Sequence, residues 1–345
     1  GARRLRASPP DGEEPDTETQ VTDHVLASGQ SGGATTRLRP RETERMRVWL
    51  VRALWITLPL TAGPALQEGL RSWPHDTATA GAALCWLGWG LGALATLAPR
   101  PLGLTALRAL APAAVAAAVA AAASVHASPL AAAGGVAAAV AAALRVADPA
   151  FALAAANGVA YGDERRYPLR TPPALFAGPL PVARAVAVAG LAAGPLLLAD
   201  GSIAAGAAAV VVGIPASIVA ARVLHRLSRR WLVLVPAGVV VVDRMTLADN
   251  VLFPREHIVR LRPLAVDERA GDALDLRLGA TSGSVLLEFD EPAELLRAAR
   301  PGRSVETVEA PALIVAASCR AEMLRAAARR RVRVEVVDAV PRRAG

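Results

Sequence analysis

The feature that most constrains this chain is a series of long apolar runs between residues 48 and 222, with few charges inside them. An α-helix needs about 20 apolar residues to cross the hydrocarbon core of a bilayer. The runs therefore predict an α-helical membrane bundle of about six transmembrane helices. The predicted spans cover residues 48–66, 78–98, 102–125, 130–146, 182–199 and 203–224.

The third and fourth runs, residues 102–125 and 130–146, consist mostly of alanine. Alanine gains little from lipid, whereas leucine and isoleucine favour insertion by about 0.3 to 0.6 kcal/mol each. Two interpretations stay open for these runs. They either span the membrane and pack closely through their small side chains, or they form a soluble alanine-rich hairpin.

The arginines predict how the chain threads through the membrane. The chain has no lysine, and residues 48–230 hold 13 arginines against six acids. With the amino terminus in the cytoplasm, all of these arginines except Arg71 fall on the cytoplasmic side, as the positive-inside rule requires. We therefore expect a multi-pass protein of the bacterial plasma membrane with both termini cytoplasmic. Arg52 and Arg108 lie within apolar sequence, and either snorkel to the surface or are buried for a function.

The densest charge cluster interrupts this apolar half in the connection formed by residues 147–181. Its sequence YGDERRYPLRTPP, residues 161–173, is called the charged segment below, and it holds both tyrosines. Tyrosine rings are typical of the headgroup layer, and arginines there attract anionic lipids. The segment is interpreted as a membrane anchor or, alternatively, as a site for lipid headgroups or a protein partner. The residues of that site are Tyr161, Asp163, Glu164, Arg165, Arg166, Tyr167 and Arg170.

From residue 231 onward the alternation of apolar and polar residues is typical of strands. Strands are expected at 231–235, 239–243, 251–253 continuing through 258–261, 274–278, 285–289, 305–308 and 313–316. The sequence EPAELLRAAR predicts a short helix beginning near Glu291, and CRAEMLRAAARRR predicts an amphipathic terminal helix, followed by the extended piece VRVEVV. Arg229, Arg230 and Trp231, where the chain leaves the membrane, are interpreted as an interfacial anchor.

The sequences RWLVLVPAGVVVVD and VLFPREHIVRL resemble a bacterial pleckstrin-homology-like domain. Together with YGDERRYPLR, LHRLSRRW and TLADNVLFPRE, they make the chain similar to uncharacterised multi-pass membrane proteins of actinobacteria. This resemblance implies a small α+β, pleckstrin-homology-like cytoplasmic domain after the bundle, and it implies no activity. The expected organisation is a disordered cytoplasmic tail (residues 1–45), a transmembrane bundle (46–226) and the cytoplasmic domain (227–345).

Motifs for chemistry are absent from the sequence. No pair among the five histidines has metal-ligand spacing, and neither HExxH nor CxxC occurs. We therefore expect no metal, no cofactor and no catalytic residue, although an outer-face site of Asp76, Ser124 and His126 can be drawn. The charge distribution argues against a nucleic-acid partner and favours membrane lipids. The leading hypothesis is a non-enzymatic scaffold or partner-binding protein that acts through its carboxy-terminal domain, and the alternative is a transporter or lipid-handling protein.

Overall fold

The computed structural model describes residues 40–124, 128–266, 268, 271–298 and 304–335. Six helical segments in these residues are long and apolar enough to cross a membrane, which confirms the predicted multi-pass helical architecture. Both alanine-rich runs are among them. The segments are Arg45–Leu70, His75–Leu97, Pro101–Ala122, Pro129–Ala147, Pro179–Ala199 and Ile203–Ser228. Of the tail predicted to be disordered, residues 1–45, residues 1–39 lie outside the described residues, and residues 40–45 are wrongly predicted because they begin the first helix.

The helices of the described chain begin in most cases at a proline, which is suited to a first turn because it lacks only an unused N–H. The first span consists of two helices that meet near Ala62, where Pro64 opens the second. The helices are α1 (Pro40–Thr61), α2 (Gly63–Leu70), α3 (His75–Leu97), α4 (Pro101–Ala122), α5 (Pro129–Ala147), α6 (Pro149–Asn157), α7 (Pro173–Phe176), α8 (Pro179–Ala199), α9 (Ile203–Ser228) and α10 (Arg320–Arg329).

The bundle packs by close approach of helices with small side chains. Ala111 of α4 and Ala139 of α5 are both buried in one apolar cluster. The cluster also contains Trp55, whose indole N–H donates to the carbonyl of Trp89 at 2.9 Å, while Trp89 donates to the carbonyl of Trp55 at 3.0 Å. The two large rings are therefore fully satisfied inside an apolar environment, as buried indoles need to be.

Helices α8 and α9 pack closely through glycine and serine. A methyl group on Gly213 would overlap the carbonyl oxygen of Gly190, so glycine is required where the two backbones touch. Ser217 adds a hydrogen bond across the pair, donating to the carbonyl of Val186 at 3.0 Å. This small-residue contact is the means by which helices associate in lipid, where no hydrophobic force draws them together.

Outside the bundle, the described residues form two four-stranded sheets and three further α-helices. Their strand orders are β1-β2-β3-β4 and β5-β7-β8-β6. All neighbouring strands are antiparallel except β6 and β8, which are parallel. The strands are β1 (Arg165–Pro168), β2 (Trp231–Val235), β3 (Gly238–Val242), β4 (Val251–Pro254), β5 (Ile258–Pro263), β6 (Leu274–Asp275), β7 (Ser284–Arg297) and β8 (Glu306–Ala316).

The prediction of a helix from Glu291 is wrong, because Ala293 to Arg297 are the second half of β7 and pair with Ala310 to Glu306 of β8. Helix propensity in EPAELLRAAR is overruled by this long-range pairing, as tertiary contacts commonly do. The strands expected at 305–308 and 313–316 are one strand, β8. Strand β6 is only two residues long where five were expected, whereas α10 is confirmed.

The two sheets and α10 enclose one apolar core of large side chains. Phe253 and Phe289 stack with ring centroids 4.5 Å apart, and Met323 of α10 is buried in the same cluster. Leu153 of α6 belongs to it too. The sheet domain thus includes α6 and β1, which come from the connection between the fourth and fifth spans. Residues 147–181 were predicted to be a loop of the bundle.

The pairing of β1 with β2 constrains the threading of the membrane helices. Strand β1 precedes α8, and β2 follows α9, so α8 and α9 must leave and return on one side of any membrane they cross. Arg47, at the start of the first span, forms an ion pair with Asp148, at the end of the fourth, at 3.3 Å. The beginning of the first span and the end of the fourth therefore lie together on the sheet-domain side.

Candidate functional site at the junction of bundle and sheet domain

The charged segment does not lie along a membrane surface but supplies an edge strand. Tyr167 of β1 lies opposite Leu232 of β2, and both side chains are completely buried. The placement of Tyr167 in the headgroup layer is therefore wrong, because its ring fills the core of the sheet domain. Burial raises the pKa of the Tyr167 hydroxyl, and the nearby carboxylate of Glu322 raises it further.

The other charges of this segment are largely paired within the protein. Arg166 lies 2.6 Å from the carboxylate of Glu164, and Arg165 lies 3.4 Å from that of Glu322. The backbone N–H of Tyr161 donates to Glu164 at 2.7 Å. Both arginines therefore have internal acid partners, which reduces what they can offer to a lipid headgroup.

Two members of the predicted site remain accessible. The side chain of Tyr161 is 90% exposed, and Asp163 is exposed beside it. The carbonyl of Asp163 accepts a hydrogen bond from Arg330, just after α10. Of the two tyrosines, only Tyr161 is thus placed where it can meet a membrane surface or a partner.

The predicted exit anchor and the charged segment, expected as separate sites, meet in the structure. Trp231 lies under the guanidinium groups of Arg166, 4.8 Å from its ring centroid, and Arg229, 5.8 Å away. Its indole N–H donates to the carbonyl of Ser228 at 3.1 Å. Trp231 is only 5% exposed. An interfacial role for Trp231 and the buried Arg230 is therefore wrong, and Arg229 is the exposed member of the three.

Arg230 forms a buried bidentate ion pair with Asp243. The Nε and Nη2 atoms lie 2.8 Å and 2.7 Å from the two carboxylate oxygens. Arg230 also donates to the carbonyls of Arg170 and Leu276, at 3.1 Å and 3.2 Å, and Met245 donates its N–H to Asp243 at 3.1 Å. The pair is thus fully hydrogen-bonded, the condition under which a buried pair is tolerated. It ties the end of the charged segment to both sheets.

A cavity lies where α4, α8 and α9 meet the chain that follows β1. Its volume is about 40 Å³, room for about three water-sized groups. Leucines, an alanine and a proline form part of its wall, and no carboxylate lines it. Its polar lining residues are Thr105, Arg108, Thr171, Arg184, Ser228 and Arg230. This junction cavity, together with its lining residues, is the candidate functional site.

A polar network forms one wall of the junction cavity. The hydroxyls of Thr105 and Ser228 lie 2.9 Å apart, and that of Thr105 is 3.3 Å from Nδ1 of His225. The Thr105 hydroxyl also lies 2.9 Å from the carbonyl of Pro101, and that of Ser228 lies 2.8 Å from the carbonyl of His225. Each hydroxyl has one proton and donates to one of these neighbours at a time. These contacts place two hydroxyl groups at the cavity wall.

Sequence reasoning identified part of this site and missed the rest. Arg108 was singled out as an arginine within an apolar run, and the same signal was present at Arg184. Thr105, Thr171 and Ser228 carry no sequence signal, because a hydroxyl next to a cavity looks like any other hydroxyl. The other arginine within an apolar run, Arg52, donates to the carbonyls of Thr96 and Leu97 at 3.0 Å and 3.2 Å and so caps the end of α3.

The described residues contain no group of three or more histidine, cysteine, aspartate or glutamate side chains able to hold a metal ion. The predicted outer-face site of Asp76, Ser124 and His126 includes His126, which lies outside the described residues. The fold defines a multi-pass helical membrane protein with an α+β domain that takes one of its strands from between two spans. Comparison of the chain with family models, curated proteins and solved structures gave no match.

Proposed function

We propose that this chain is a non-enzymatic scaffold of the bacterial plasma membrane, which holds a partner-binding, pleckstrin-homology-like domain in a fixed position at the cytoplasmic face. The observation that carries the proposal is the insertion of β1 into the sheet domain. A domain joined by one flexible linker could move away from the bundle, whereas this one is connected to it before α8 and after α9. A fixed orientation is useful for presenting a surface to a partner.

The pleckstrin-homology-like assignment is supported by two largely antiparallel sheets that pack around one core with a carboxy-terminal helix, α10. The turn between β2 and β3, at Pro236 and Ala237, has no basic side chain. Phosphoinositide binding through that first hairpin, which the resemblance would imply, is therefore not part of the proposal.

The cytoplasmic assignment is supported by the arginines. Twelve of the 13 arginines between residues 48 and 230 fall on the side of the sheet domain when the six spans alternate, and only Arg71 falls on the other. The positive-inside rule assigns such a side to the cytoplasm. The test is protease protection of a carboxy-terminal tag in right-side-out vesicles. Cleavage of the tag without permeabilisation would overturn the assignment.

The partner surface that the geometry favours is the outer edge of β8. Among the described residues, β6 covers this edge only at Leu313 and Ile314, so the backbone from Glu306 to Ala312 is open to strand addition. Glu309 lies opposite Glu294 of β7, and neither forms an ion pair with any described residue. Like charges placed opposite each other are unfavourable. The edge therefore suits an extended partner segment that carries basic side chains.

Photo-crosslinking in native membranes tests this surface. A crosslinking amino acid at Thr307 is expected to capture a discrete partner, and the same group at the exposed Arg325 of α10 serves as the control. Reversing both charges with Glu294→Arg and Glu309→Arg is expected to abolish capture at 307. Equal capture at both positions, or capture that survives the reversal, would rule out this edge as the partner surface.

A second function, handling of anionic lipids, is favoured by one specific observation. The junction cavity holds arginines but no carboxylate and lies at the membrane end of the sheet domain.

A further inference from the structure

We propose that the junction cavity binds a phosphate group, carried by a phospholipid headgroup or by a soluble phosphate compound, between Arg108 and Arg184. This inference does not depend on the scaffold function, because it concerns a different surface. It rests on charge, hydrogen-bonding capacity and position.

The charge argument begins with Arg230, the one arginine of the cavity wall that has an acid partner. Its charge is balanced by Asp243. For Arg108 and Arg184, in contrast, no carboxylate of the described residues lies within ion-pair distance. Two guanidinium groups that line one small cavity repel each other, and their partial burial weakens screening by water. An anion between them removes both penalties.

Three other arginines have acceptors within the protein, although the Nε atoms of Arg52 and Arg170 are, like that of Arg184, buried without one. Arg47 pairs with Asp148, Arg166 pairs with Glu164, and Arg52 bonds to two helix carbonyls. All three lie on the sheet-domain side of the molecule. The protein therefore provides acceptors for these three arginines, whereas no described carboxylate pairs with Arg108 or Arg184.

Hydrogen-bonding capacity points to the same ligand. The Nε atom of Arg184 is buried and has no acceptor among the described residues. The hydroxyls of Thr105 and Ser228 lie at the same cavity, and their mutual bond of 2.9 Å can rearrange towards a ligand. Guanidinium groups bind phosphate oxygens through short, charge-assisted bonds. A cavity with room for about three water-sized groups matches the terminal oxygens of one phosphate.

The two arginines lie near the ends of membrane-spanning helices, where a lipid headgroup can reach the cavity. Arg108 lies seven residues after the start of α4, about 10 Å along the helix, and Arg184 lies five residues after the start of α8, about 8 Å along it. With the helix starts at the membrane surface, these depths correspond to the boundary between headgroups and acyl chains. The wall also includes Leu104, Leu180 and Leu224, which are suitable contacts for the glycerol and upper acyl region of a lipid.

The test uses the full-length protein, delipidated in neutral detergent, and measures binding of two probes by isothermal titration. One probe is inorganic phosphate and the other is dihexanoyl phosphatidic acid. We expect Arg108→Gln or Arg184→Gln to weaken binding at least about tenfold, the typical effect of removing a charged hydrogen-bond partner. The matched control is Arg222→Gln with Arg226→Gln, which removes two exposed arginines of α9 on the same side.

The two titrations distinguish the possible sources of the phosphate group. Binding of the lipid alone assigns the site to a headgroup, binding of phosphate alone assigns it to a soluble compound, and binding of both supports the shared phosphate chemistry. Binding of neither probe overturns the proposal. So does a control variant that loses as much affinity as the cavity variants.

A second measurement needs no variant and so avoids the possibility that a substitution prevents folding. Phenylglyoxal modifies arginine side chains, and mass spectrometry reports the rate at each site. Phosphate or dihexanoyl phosphatidic acid is expected to slow modification of Arg108 and Arg184 at least about tenfold in the wild-type protein, and to leave Arg222 unchanged. The proposal would also be overturned if neither probe changed the rate at which Arg108 and Arg184 are modified.

Discussion

The bundle and the sheet domain bury their interiors by opposite means. In the bundle, backbones approach through alanine and glycine, and the contact between Gly190 and Gly213 has no space for a methyl group. In the sheet domain, large side chains such as Tyr167 and Phe253 fill the space between two sheets, and an ion pair is enclosed with them. Helices in lipid gain from close contact, whereas a domain in water gains from the apolar area that it buries.

The comparison teaches which changes each region can tolerate. Larger side chains at the close helix contacts should destabilise the bundle, because these contacts have no spare volume. Removed atoms should harm the sheet domain, because cavities and unpaired charges result. Four predictions test this difference.

The largest effect is expected from Arg230→Ala, which leaves Asp243 as an unpaired buried carboxylate. Loss of one partner from a buried pair costs about 3 to 5 kcal/mol. We expect a large fall in the melting temperature of the sheet domain, measured in detergent by thermal unfolding. Arg229→Ala, a change at the exposed neighbour, is the control and is expected to leave the melting temperature nearly unchanged. Equal melting of the two variants would show that the ion pair does not stabilise the domain.

The two tyrosines provide the next test. Tyr167→Ala removes a completely buried ring and is expected to lower the free energy of unfolding by about 3 to 5 kcal/mol. Tyr161→Ala changes an exposed side chain and is expected to stay within about 0.5 kcal/mol of the wild type. Denaturant titration of both variants checks the difference. Similar values would mean that β1 is not part of the folded sheet domain.

Cys319 tests the packing of the sheet domain through chemistry. Burial, with a smaller contribution from Glu322, raises the pKa of its thiol from 9.0 to about 11. The thiolate is the reactive form of cysteine. Raising the pKa of the thiol from 9.0 to about 11 lowers the thiolate fraction at pH 8 about a hundredfold. In a Cys85→Ala background, alkylation of the folded protein is expected to be slower than that of the denatured protein by at least this factor.

The pH dependence of the same alkylation reaction shows whether the pKa of Cys319 is raised or lowered. The rate in the folded protein is expected to keep rising about tenfold per pH unit up to pH 10, whereas an ordinary thiol approaches its plateau above pH 9. A plateau near pH 9 in the folded protein would contradict the raised pKa.

The smallest effect is expected in the bundle, from Gly213→Ala. The new methyl group would meet the carbonyl oxygen of Gly190, and overpacking of this kind costs about 1 to 3 kcal/mol. The control is Gly134→Ala in α5, where no atom lies within 4 Å of the new methyl group. That change is expected to stabilise its helix by up to about 1 kcal/mol. Thermal unfolding in detergent measures both, and destabilisation by the control alone would contradict the close contact of α8 and α9.

Hydropathy was sufficient to predict the six spans because a membrane helix satisfies its backbone hydrogen bonds within itself. Each span is therefore visible in its own residues, even in the alanine-rich runs. The sheet domain was predicted less well for the opposite reason. A strand needs a partner, and EPAELLRAAR became part of β7 only because β8 lies beside it.

The candidate site shows the same limit. The sequence marked the charged segment and the residues around Trp231 as two separate membrane contacts. Their pairing as β1 and β2 turned Tyr167 and Arg230 inward, and it closed the junction cavity beside them. Arg108 could be suspected from its apolar surroundings, but its partner Arg184 and the hydroxyl of Ser228 are brought to it by helices distant in the sequence.

The sequence by itself determined that this is a multi-pass membrane protein and which segments cross, because the free energy of transfer into lipid depends on the composition of each helix alone. Tertiary structure decided that the connection between the fourth and fifth spans completes a sheet formed after the sixth. It also decided which arginines find carboxylates and which face a cavity. Those outcomes depend on distances between residues far apart in the chain, and such distances exist only once the helices have packed.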